Sequence, residues 1–290
     1  MKKLKIGIPK GSLEESTITL FKSAGFEILR HSRSYKPTCD DEELDVLLIR
    51  PQEMAKYIVD GIVDCGLAGY DWILESGLKV KEICELCYSK SSFQPARWVI
   101  AVPMNSPIRK LSDLKGKRIA TELVNVLKRY LKKNKINAEV DFSWGATETK
   151  AGTLADAIFE LTETGESLKR NGLRIIDEVL VSTTRFVASY KAYKDRWKRE
   201  KMENLALLLK AALRAKDMVG LKMNAPRKNL LRILNLLPAL KKPTISHLAD
   251  ENWIALEVII PEKKARDLIP VLRKAGACGI IEYPLNKVVE

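Results

Sequence analysis

One segment of the chain combines an acidic side chain with several hydroxyl groups and a glycine. Glu160 stands near the end of an apolar stretch, 155–161, and a helix is predicted to start at Leu168. Between them lies a segment, termed here the hydroxyl loop, that consists of Thr162, Glu163, Thr164, Gly165, Glu166 and Ser167. Hydroxyls and the N–H groups of a helix start can surround a phosphate, and a carboxylate accepts hydrogen bonds from sugar hydroxyls. The pattern suits a sugar phosphate, although a polar turn with a helix cap explains it equally well.

Charged residues also follow three predicted strands in the first quarter of the chain. Lys10 follows the alternating strand 4–8, Arg50 follows the apolar strand 45–49, and Asp71 follows strand 63–67 and the pair Ala68-Gly69. In open parallel α/β sheets, ligands bind at the carboxyl edge of the strands. We therefore predict that these three side chains converge at one site.

A helix start directly follows Lys10. Ser12 and Glu15 have the spacing of a capping box, and apolar residues follow at helical intervals. The unpaired N–H groups of such a start, together with Lys10 and Gly11, form a plausible anion site. A simple capped helix is the alternative, and this fragment by itself favours that alternative.

The cysteines and histidines point away from metal and redox chemistry. Five cysteines are scattered along the chain, and only Cys84 and Cys87 are close in sequence. They lack the second pair that a zinc site needs, and His31 and His247 lie far from them. Two histidines also disfavour a histidine-based catalytic triad.

Composition and charge narrow the class of protein. The 290 residues are 46% hydrophobic and 30% charged, with a net charge of +13, which is typical of a globular chain with anionic partners. The longest apolar runs, such as 98–102, are far shorter than the roughly 20 residues of a membrane span. The basic start has no signal-peptide pattern, so a cytoplasmic protein is predicted.

The order of predicted elements indicates three units. Strands and helices alternate as far as about 190, which favours two parallel or mixed sheets, with a polar crossover at 89–95. After a long helix, strands at 219–223, 244–248, 253–260 and 279–283 combine with helices at 226–237 and 263–275. This β-α-β-β-α-β order is that of a ferredoxin-like domain.

Several of these segments together resemble the long form of the ATP phosphoribosyltransferase family, and the likeness extends from end to end of the chain. The segments are Gly7–Leu13, Ile49–Pro51, Gly66–Asp71, Arg97–Pro103, Ala155–Ile158 with Thr162–Asn171, Gly220–Asn224 and Gly279–Lys287.

The resemblance implies a fold and a domain division. It implies a catalytic core of two α/β lobes like those of type II periplasmic binding proteins, followed by a ferredoxin-like regulatory domain. The predicted boundaries are 1–88 with 173–216 for the first lobe, 89–172 for the second lobe with the hydroxyl loop, and 217–290 for the regulatory domain.

The resemblance also implies a reaction, in which N1 of ATP displaces pyrophosphate from phosphoribosyl pyrophosphate, the sugar donor, with Mg²⁺ as cofactor. Glu160 and the hydroxyl loop match the positions that bind the donor's ribose and 5′-phosphate. Lys10, Arg50 and Glu160 are the expected catalytic residues. The expected nucleotide-binding positions are Lys10, Gly11, Arg50, Gly69, Asp71 and Glu148.

Regulation and assembly are expected from the same resemblance. The C-terminal domain is expected to bind histidine as a feedback inhibitor, with Thr244, Ala277 and Gly279 as candidate contacts. The family likeness also suggests a homo-oligomer, with dimers that associate into hexamers.

Two other classes of protein compete with this hypothesis. A non-catalytic two-lobed protein that binds a small anion or solute would normally carry an export signal or lipid anchor, which the sequence does not show, and would not need the hydroxyl loop. A nucleic-acid binder would present a basic face with exposed aromatic residues, whereas Trp98 and Trp253 lie in apolar strand patterns. The sequence therefore predicts neither a nucleic-acid partner nor a membrane partner.

Overall fold

A computed structural model describes residues 2–30, 34–88, 95–238 and 243–289. The chain forms two compact units, one of Met1–Lys22 with Phe26–Ala206 and one of Ser23–Gly25 with Leu207–Glu290. Most of the predicted crossover, at 89–94, lies outside the described residues.

The strands and helices of the described residues are numbered in chain order. The strands are β1 Leu4–Pro9, β2 Ile28–Leu29, β3 Thr38–Cys39, β4 Leu44–Ile49, β5 Cys65–Gly69, β6 Lys81–Leu86, β7 Ala96–Pro103, β8 Arg118–Thr121, β9 Glu139–Phe142, β10 Ala157–Thr162, β11 Leu173–Ser182, β12 Thr184–Ala188, β13 Met218–Pro226, β14 Thr244–His247, β15 Trp253–Pro261 and β16 Cys278–Pro284. The α-helices are α1 Glu14–Ala24, α2 Pro51–Val59, α3 Tyr70–Ser76, α4 Val124–Lys133, α5 Glu166–Arg170, α6 Tyr190–Lys194, α7 Arg196–Ala215, α8 Leu230–Leu234 and α9 Glu262–Lys274. Short 3-10 helices occupy Leu111–Leu114, Thr147–Lys150 and Arg227–Asn229.

The first lobe of the larger unit is built on a five-stranded sheet of order β4-β1-β5-β12-β6. β1 is parallel to both β4 and β5, and its Leu4, Ile6 and Ile8 are fully buried. Helix α2 packs closely on this sheet, because a Cβ at Gly7 would lie 2.5 Å from the sulfur of Met54. The edge strand β6 has no clear apolar alternation, and the sequence analysis did not predict it.

The second lobe is built on a five-stranded sheet of order β11-β7-β10-β8-β9. In this sheet β8 runs parallel to β9 and β10, whereas β7 runs antiparallel to β10 and β11. Its core centres on Trp98, Ile100 and Phe159, with the Trp98 and Phe159 rings 5.1 Å apart.

The structure corrects the predicted return point of the chain to the first lobe, which the sequence-based division put at 173. Strand β11 pairs with β7 in the second sheet, and the chain rejoins the first sheet with β12, at Thr184. The physical reason is packing, since Ile176, Val179 and Leu180 of β11 contact the core of the second lobe.

The smaller unit contains a four-stranded antiparallel sheet of order β14-β15-β13-β16. β13 and β15 pair over nine residues, and helices α8 and α9 contribute Ile233 and Leu272 to a common core. This order and the β-α-β-β-α-β sequence of elements are those of a ferredoxin-like domain. Together with the two sheets of the larger unit, they confirm the predicted fold class of two α/β lobes and a ferredoxin-like domain.

Candidate active site

The register of the first sheet brings Lys10 and Arg50 to the same edge. Pro9 pairs with Ile49, so Lys10 and Arg50 each follow directly after paired residues, and the Lys10 N–H donates to the Ile49 carbonyl at 2.8 Å. Arg50 is exposed at the start of α2. We refer to Lys10 and Arg50 as the cationic edge.

Tyr35 lies against the cationic edge, and the sequence analysis did not predict this contact. The Lys10 Nζ atom lies 3.6 Å from the centre of the Tyr35 ring, which is within the range of a cation–π interaction. A hydrogen bond from Lys10 and its charge lower the pKa of Tyr35, and the charge of Arg50 acts in the same direction. No local pattern marks Tyr35, because it reaches Lys10 only through the fold.

Asp71 lies at the same end of the sheet, but its carboxylate is buried and already hydrogen-bonded. Trp98 Nε1 donates to Asp71 Oδ2 at 2.7 Å, and the Trp72 N–H donates to Oδ1 at 2.9 Å. Burial raises the pKa of Asp71, and these hydrogen bonds oppose that shift. A Cβ at Gly69 would lie 2.1 Å from Asp71 Oδ1, so glycine is required there. Asp71 thus links the first lobe to Trp98 of the second.

The start of α1 is capped differently from the predicted capping box. Helix α1 begins at Glu14, whose carboxylate accepts a hydrogen bond from the Gly11 N–H at 3.3 Å and forms an ion pair with Arg30 at 2.8 Å. Gly11 has a φ of +108°, which favours glycine, and both Gly11 and Ser12 are exposed. Glu14 therefore takes the role predicted for Glu15, that of the acid that accepts from a backbone N–H before the helix, because the chain turns at Gly11.

On the second lobe, the ends of three adjacent strands meet around Glu160. β10 is aligned with β8 so that Phe159 pairs with Thr121, and β8 with β9 so that Thr121 pairs with Phe142. Glu122 therefore directly follows β8, and Glu160 lies inside β10, one residue beyond its last pair with β8, at the same level. Burial raises the pKa of Glu160 to about 7, hydrogen bonds from the Leu161 N–H and Thr147 oppose the rise, and the charges of Glu148 and Glu122 add to it.

The hydroxyl loop follows Glu160 and is closed by its own hydrogen bonds. The buried Thr162 accepts a hydrogen bond from the Gly165 N–H at 2.8 Å, and Thr164 accepts one from the Glu166 N–H at 3.3 Å. Gly165 has a φ of +82° just before α5, so the turn requires a residue without a side chain. Ser167 donates to Glu148 at 3.3 Å, which ties the end of the loop to the neighbouring 3-10 helix.

Glu148 therefore lies on the side of Glu160 and the hydroxyl loop. It was expected among the nucleotide-binding positions with Lys10 and Arg50, yet its hydrogen bond joins it to Ser167 and its charge acts on Glu160.

A pocket of about 240 Å³ is lined by residues of both lobes. The first lobe contributes Ser12 and Pro51, the neighbours of Gly11 and Arg50, and the second contributes Leu161 and Glu163 from the end of β10 and the hydroxyl loop. The pocket is also lined by a buried row of hydroxyl residues where β11 leads into β12, formed by Ser182, Thr183 and Thr184. The sequence analysis did not single out this row, which holds Asp71 through a hydrogen bond from the Asp71 N–H to Ser182 at 3.1 Å.

The described residues contain no group of three or more His, Cys, Asp and Glu side chains arranged to hold a metal ion. The described helices likewise include none with the length and apolar character needed to cross a membrane.

The candidate effector residues of the smaller unit fall into two places. Thr244 begins β14, which is one edge of the sheet, whereas Ala277 and Gly279 lie at the start of β16, the other edge. Gly279 is close to Asn224 of β13, to which a Cβ would come within 3.8 Å. The fold of one chain does not bring Thr244 to the other two residues.

The fold and the site define a class of protein: a two-lobed α/β protein with a pocket lined by both lobes, a cationic edge next to its first-lobe wall and a hydroxyl loop at its second-lobe wall, followed by a ferredoxin-like domain. The sequence profile of the HisG ATP phosphoribosyltransferase family matches residues 50–211, and that of the HisG C-terminal domain matches residues 215–287.

Individual relatives agree with these profiles. The chain is 57% identical over 288 residues to the ATP phosphoribosyltransferase of Thermodesulfovibrio yellowstonii, with 99% of each chain covered. It is 56% identical over 287 residues to the enzyme of Chlorobium phaeobacteroides, with 99% of this chain and 98% of the relative covered. The solved ATP phosphoribosyl transferase (HisG:HisZ) complex of Thermotoga maritima aligns with a TM-score of 0.61 and 29% identity, over 71% of this chain and 98% of that chain.

The chain belongs to the ATP phosphoribosyltransferase family. It is a pentosyltransferase that moves the 5-phosphoribosyl group of phosphoribosyl pyrophosphate to N1 of ATP and releases pyrophosphate, which is the first step of histidine biosynthesis.

Proposed function

We propose that the pocket between the two lobes is the catalytic site, with the sugar donor held by the second lobe and the nucleotide and pyrophosphate by the first. The observation that carries this assignment is the lining of the pocket, which joins the neighbours of the cationic edge to the hydroxyl loop. Two polyanionic substrates need cations and N–H or hydroxyl donors. The pocket lining supplies hydroxyl groups, and the cationic edge directly neighbours the lining residues Ser12 and Pro51 in the chain.

The donor side consists of Glu160 and the hydroxyl loop. The Glu160 carboxylate accepts hydrogen bonds from the ribose hydroxyls, and the loop from Thr162 to Ser167 holds the 5′-phosphate through its hydroxyls and N–H groups. In the described structure the Gly165 N–H binds Thr162, so phosphate binding exchanges this internal hydrogen bond for one to the ligand. Glu148 orients Ser167 on this same side, and Glu163 faces the pocket.

The nucleotide side consists of Lys10, Gly11, Arg50 and Gly69, with Asp71 as part of the wall. The two cations contact the departing pyrophosphate, and the exposed turn at Gly11 lets the ligand approach the backbone. Asp71 contributes by fixing Trp98 and the start of α3, because both of its carboxylate oxygens already accept hydrogen bonds.

The chemistry requires positioning and charge stabilisation more than a protein nucleophile. As pyrophosphate leaves, positive charge spreads into the ribose ring, and adenine N1 attacks C1. Lys10 and Arg50 stabilise the negative charge that develops on the leaving group. Alignment of two substrates between the lobes supplies on the order of 7–11 kcal/mol of the barrier reduction.

The metal of the reaction is proposed to be Mg²⁺, bound mainly by the phosphate oxygens of the substrate. Mg²⁺ usually keeps several waters and binds through substrate phosphates rather than through an all-protein cage. The described residues fit this mode, since they form no three-ligand group and line the pocket with oxygen donors. When bound, the ion neutralises charge on the departing pyrophosphate.

Regulation by histidine is proposed to act through the ferredoxin-like unit, in a homo-oligomer of dimers and hexamers. The site is proposed at the start of β16, with Ala277 and Gly279 as contacts. Since Thr244 lies at the opposite edge of the sheet, we propose that it reaches this site only from a second copy of the chain.

The assignment of the catalytic site is tested with purified protein, ATP, phosphoribosyl pyrophosphate and Mg²⁺, by the absorbance of the adduct. Glu160→Ala and Lys10→Ala are each expected to reduce kcat/KM on the order of a hundredfold, because each removes a group aimed at a substrate charge or hydroxyl. The matched controls are Glu200→Ala and Lys133→Ala, at exposed positions of α7 and α4, which should leave the rate unchanged. A near-normal rate for Glu160→Ala or Lys10→Ala would show that the site lies elsewhere.

A further inference from the structure

The end of strand β4 holds the backbones of Tyr35 and Lys10 next to each other. The Leu48 N–H donates to the Tyr35 carbonyl at 2.8 Å, and the carbonyl of the next residue, Ile49, accepts from the Lys10 N–H at 2.8 Å. Arg50 follows directly. Two consecutive residues of one strand therefore fix Tyr35 beside both cations of the cationic edge.

The side chains of Tyr35 and Lys10 also meet. The Lys10 Nζ atom lies 3.6 Å from the centre of the Tyr35 ring, a distance at which the ring attracts the ammonium electrostatically. The Tyr35 side chain is 55% exposed, so burial in a core does not account for the position of its ring. The contact with Lys10 does account for it.

A ring is a suitable holder for a cation that must bind phosphate. Within the described part of the chain Lys10 forms no ion pair, and the nearby acid Glu14 is engaged with Arg30 at 2.8 Å and with the Gly11 N–H. A carboxylate would neutralise the ammonium and compete with a phosphate for it, whereas an aromatic face attracts the ammonium and leaves its charge unchanged. The full positive charge of Lys10 therefore stays available to an anionic ligand.

We propose that Tyr35 is a positioning residue of the transferase, whose ring holds the Lys10 ammonium in place for the departing pyrophosphate. This inference rests on the proposed role of Lys10 in the catalytic site. A lysine side chain is flexible and loses rotamer freedom when it binds an anion. An ammonium that is already held loses less, so the charge that stabilises the leaving group is preorganised.

The kinetic test is a double-mutant cycle of Tyr35→Leu and Lys10→Ala, followed by the absorbance of the adduct. Tyr35→Leu is expected to lower kcat/KM about fivefold, the strength of a cation–π contact at an exposed site. The loss should fall mainly on kcat, because the charge that Lys10 stabilises grows as pyrophosphate leaves. In the Lys10→Ala protein, Tyr35→Leu should have no further effect.

Two further variants complete the kinetic test. Tyr35→Phe keeps the ring and should react like the natural protein. Tyr190→Leu is the matched control, since Tyr190 is 54% exposed and lies just beyond Ala188, at the opposite end of the first sheet. This control should leave the rate unchanged.

The position of the ammonium is measured independently of catalysis, by NMR of the full-length protein labelled with ¹³C-lysine. Lys10→Arg assigns the signal. Protons above the face of an aromatic ring resonate upfield, so the Lys10 Hε signal should move downfield in Tyr35→Leu and stay in place in Tyr35→Phe.

Each outcome of these measurements decides one part of the proposal. A Lys10 signal that does not move in Tyr35→Leu, with the protein still folded by thermal unfolding, would overturn the ring contact. Equal losses of kcat/KM from Tyr35→Leu with and without Lys10 would overturn the positioning role. If the signal moves while Lys10→Ala reacts at a near-normal rate, the contact stands and the proposed catalytic role of Lys10 fails.

Discussion

Glu160 carries the most specific chemistry at the scale of single residues. Burial raises the pKa of its carboxyl to about 7, and the charges of Glu148 and Glu122 act in the same direction. A carboxyl group with this pKa changes its charge near neutral pH, so its ionisation and the binding of a ligand to it are coupled.

The affinity for the sugar donor should therefore depend on pH. Ribose hydroxyls donate to the ionised carboxylate, so below about pH 7 binding must first remove a proton. Donor affinity, measured by calorimetry, is expected to fall as the pH drops from 8 to 6 and to be nearly constant above 8.

The Glu160→Gln variant separates this effect from the titration of the donor's own phosphate. The affinity of this variant for the donor should be weaker, and its pH dependence should reflect only the titration of the donor's phosphate. The raised pKa has the opposite effect on folding. Because the folded pKa of Glu160 lies above the unfolded value, the contribution of Glu160 to the stability of the free protein falls as the pH rises towards 7. An equal pH dependence of donor affinity in the natural protein and in the Glu160→Gln variant would contradict the prediction.

Asp71 should prove to be a structural acceptor more than a ligand contact. Asp71→Ala leaves the buried Trp98 Nε1 without an acceptor, which is expected to reduce the free energy of unfolding by about 1–3 kcal/mol. Denaturant unfolding measures the loss, and Asp60→Ala, at an exposed position, is the control. Combining Asp71→Ala with Trp98→Phe should recover part of the stability; no recovery would show that the two side chains are not coupled.

At the scale of elements, the turn into α5 determines the shape of the hydroxyl loop. Gly165 adopts a φ of +82°, and Gly172, just beyond the same helix, adopts +70° with open space around its Cα. The two glycines form a matched pair, because both conformations oppose a side chain and only Gly165 lies in the loop.

Gly165→Ala and Gly172→Ala should each lower stability by about 1–2 kcal/mol, through the same backbone strain. Only Gly165→Ala is expected to raise the KM for the sugar donor severalfold, because it shifts the Thr162 to Gly165 hydrogen bond from which the loop is built. Steady-state kinetics with varied donor measures the difference. Equal KM values for the two variants would argue against phosphate binding by the loop.

At the scale of the whole molecule, the two compact units should respond to different ligands. Hydrogen exchange followed by mass spectrometry is expected to show protection at 8–13 and 158–170 with the sugar donor and Mg²⁺. Histidine should instead protect 244–247 and 276–284, since its proposed contacts lie there. Protection by histidine confined to the larger unit would contradict the proposed regulatory role of the smaller unit.

The Thr244→Val variant tests whether two copies of the chain form the histidine site. If they do, this substitution should weaken the protection by histidine at both edges of the sheet.

Much of this architecture was predictable from the sequence because the signals are local. The helix and strand order of the ferredoxin-like unit follows from apolar periodicity. The charged residues Lys10 and Arg50, which follow β1 and β4, and the hydroxyl loop are visible in the sequence itself. The motifs at Lys10, Arg50 and 160–167, read in order, also indicated the family.

Only the tertiary structure decided which of these groups meet. Strand β11 joins the second sheet because its side chains pack there, and Tyr35 comes to Lys10 through a loop that has no pattern of its own. Sheet order separates Thr244 from Gly279, and the fold brings Glu122 and Glu148 close enough to Glu160 to raise its pKa. Spacing along a chain determines which face or end of an element a residue occupies, whereas strand order and burial, which arise from contacts between distant segments, determine its neighbours and hence its pKa.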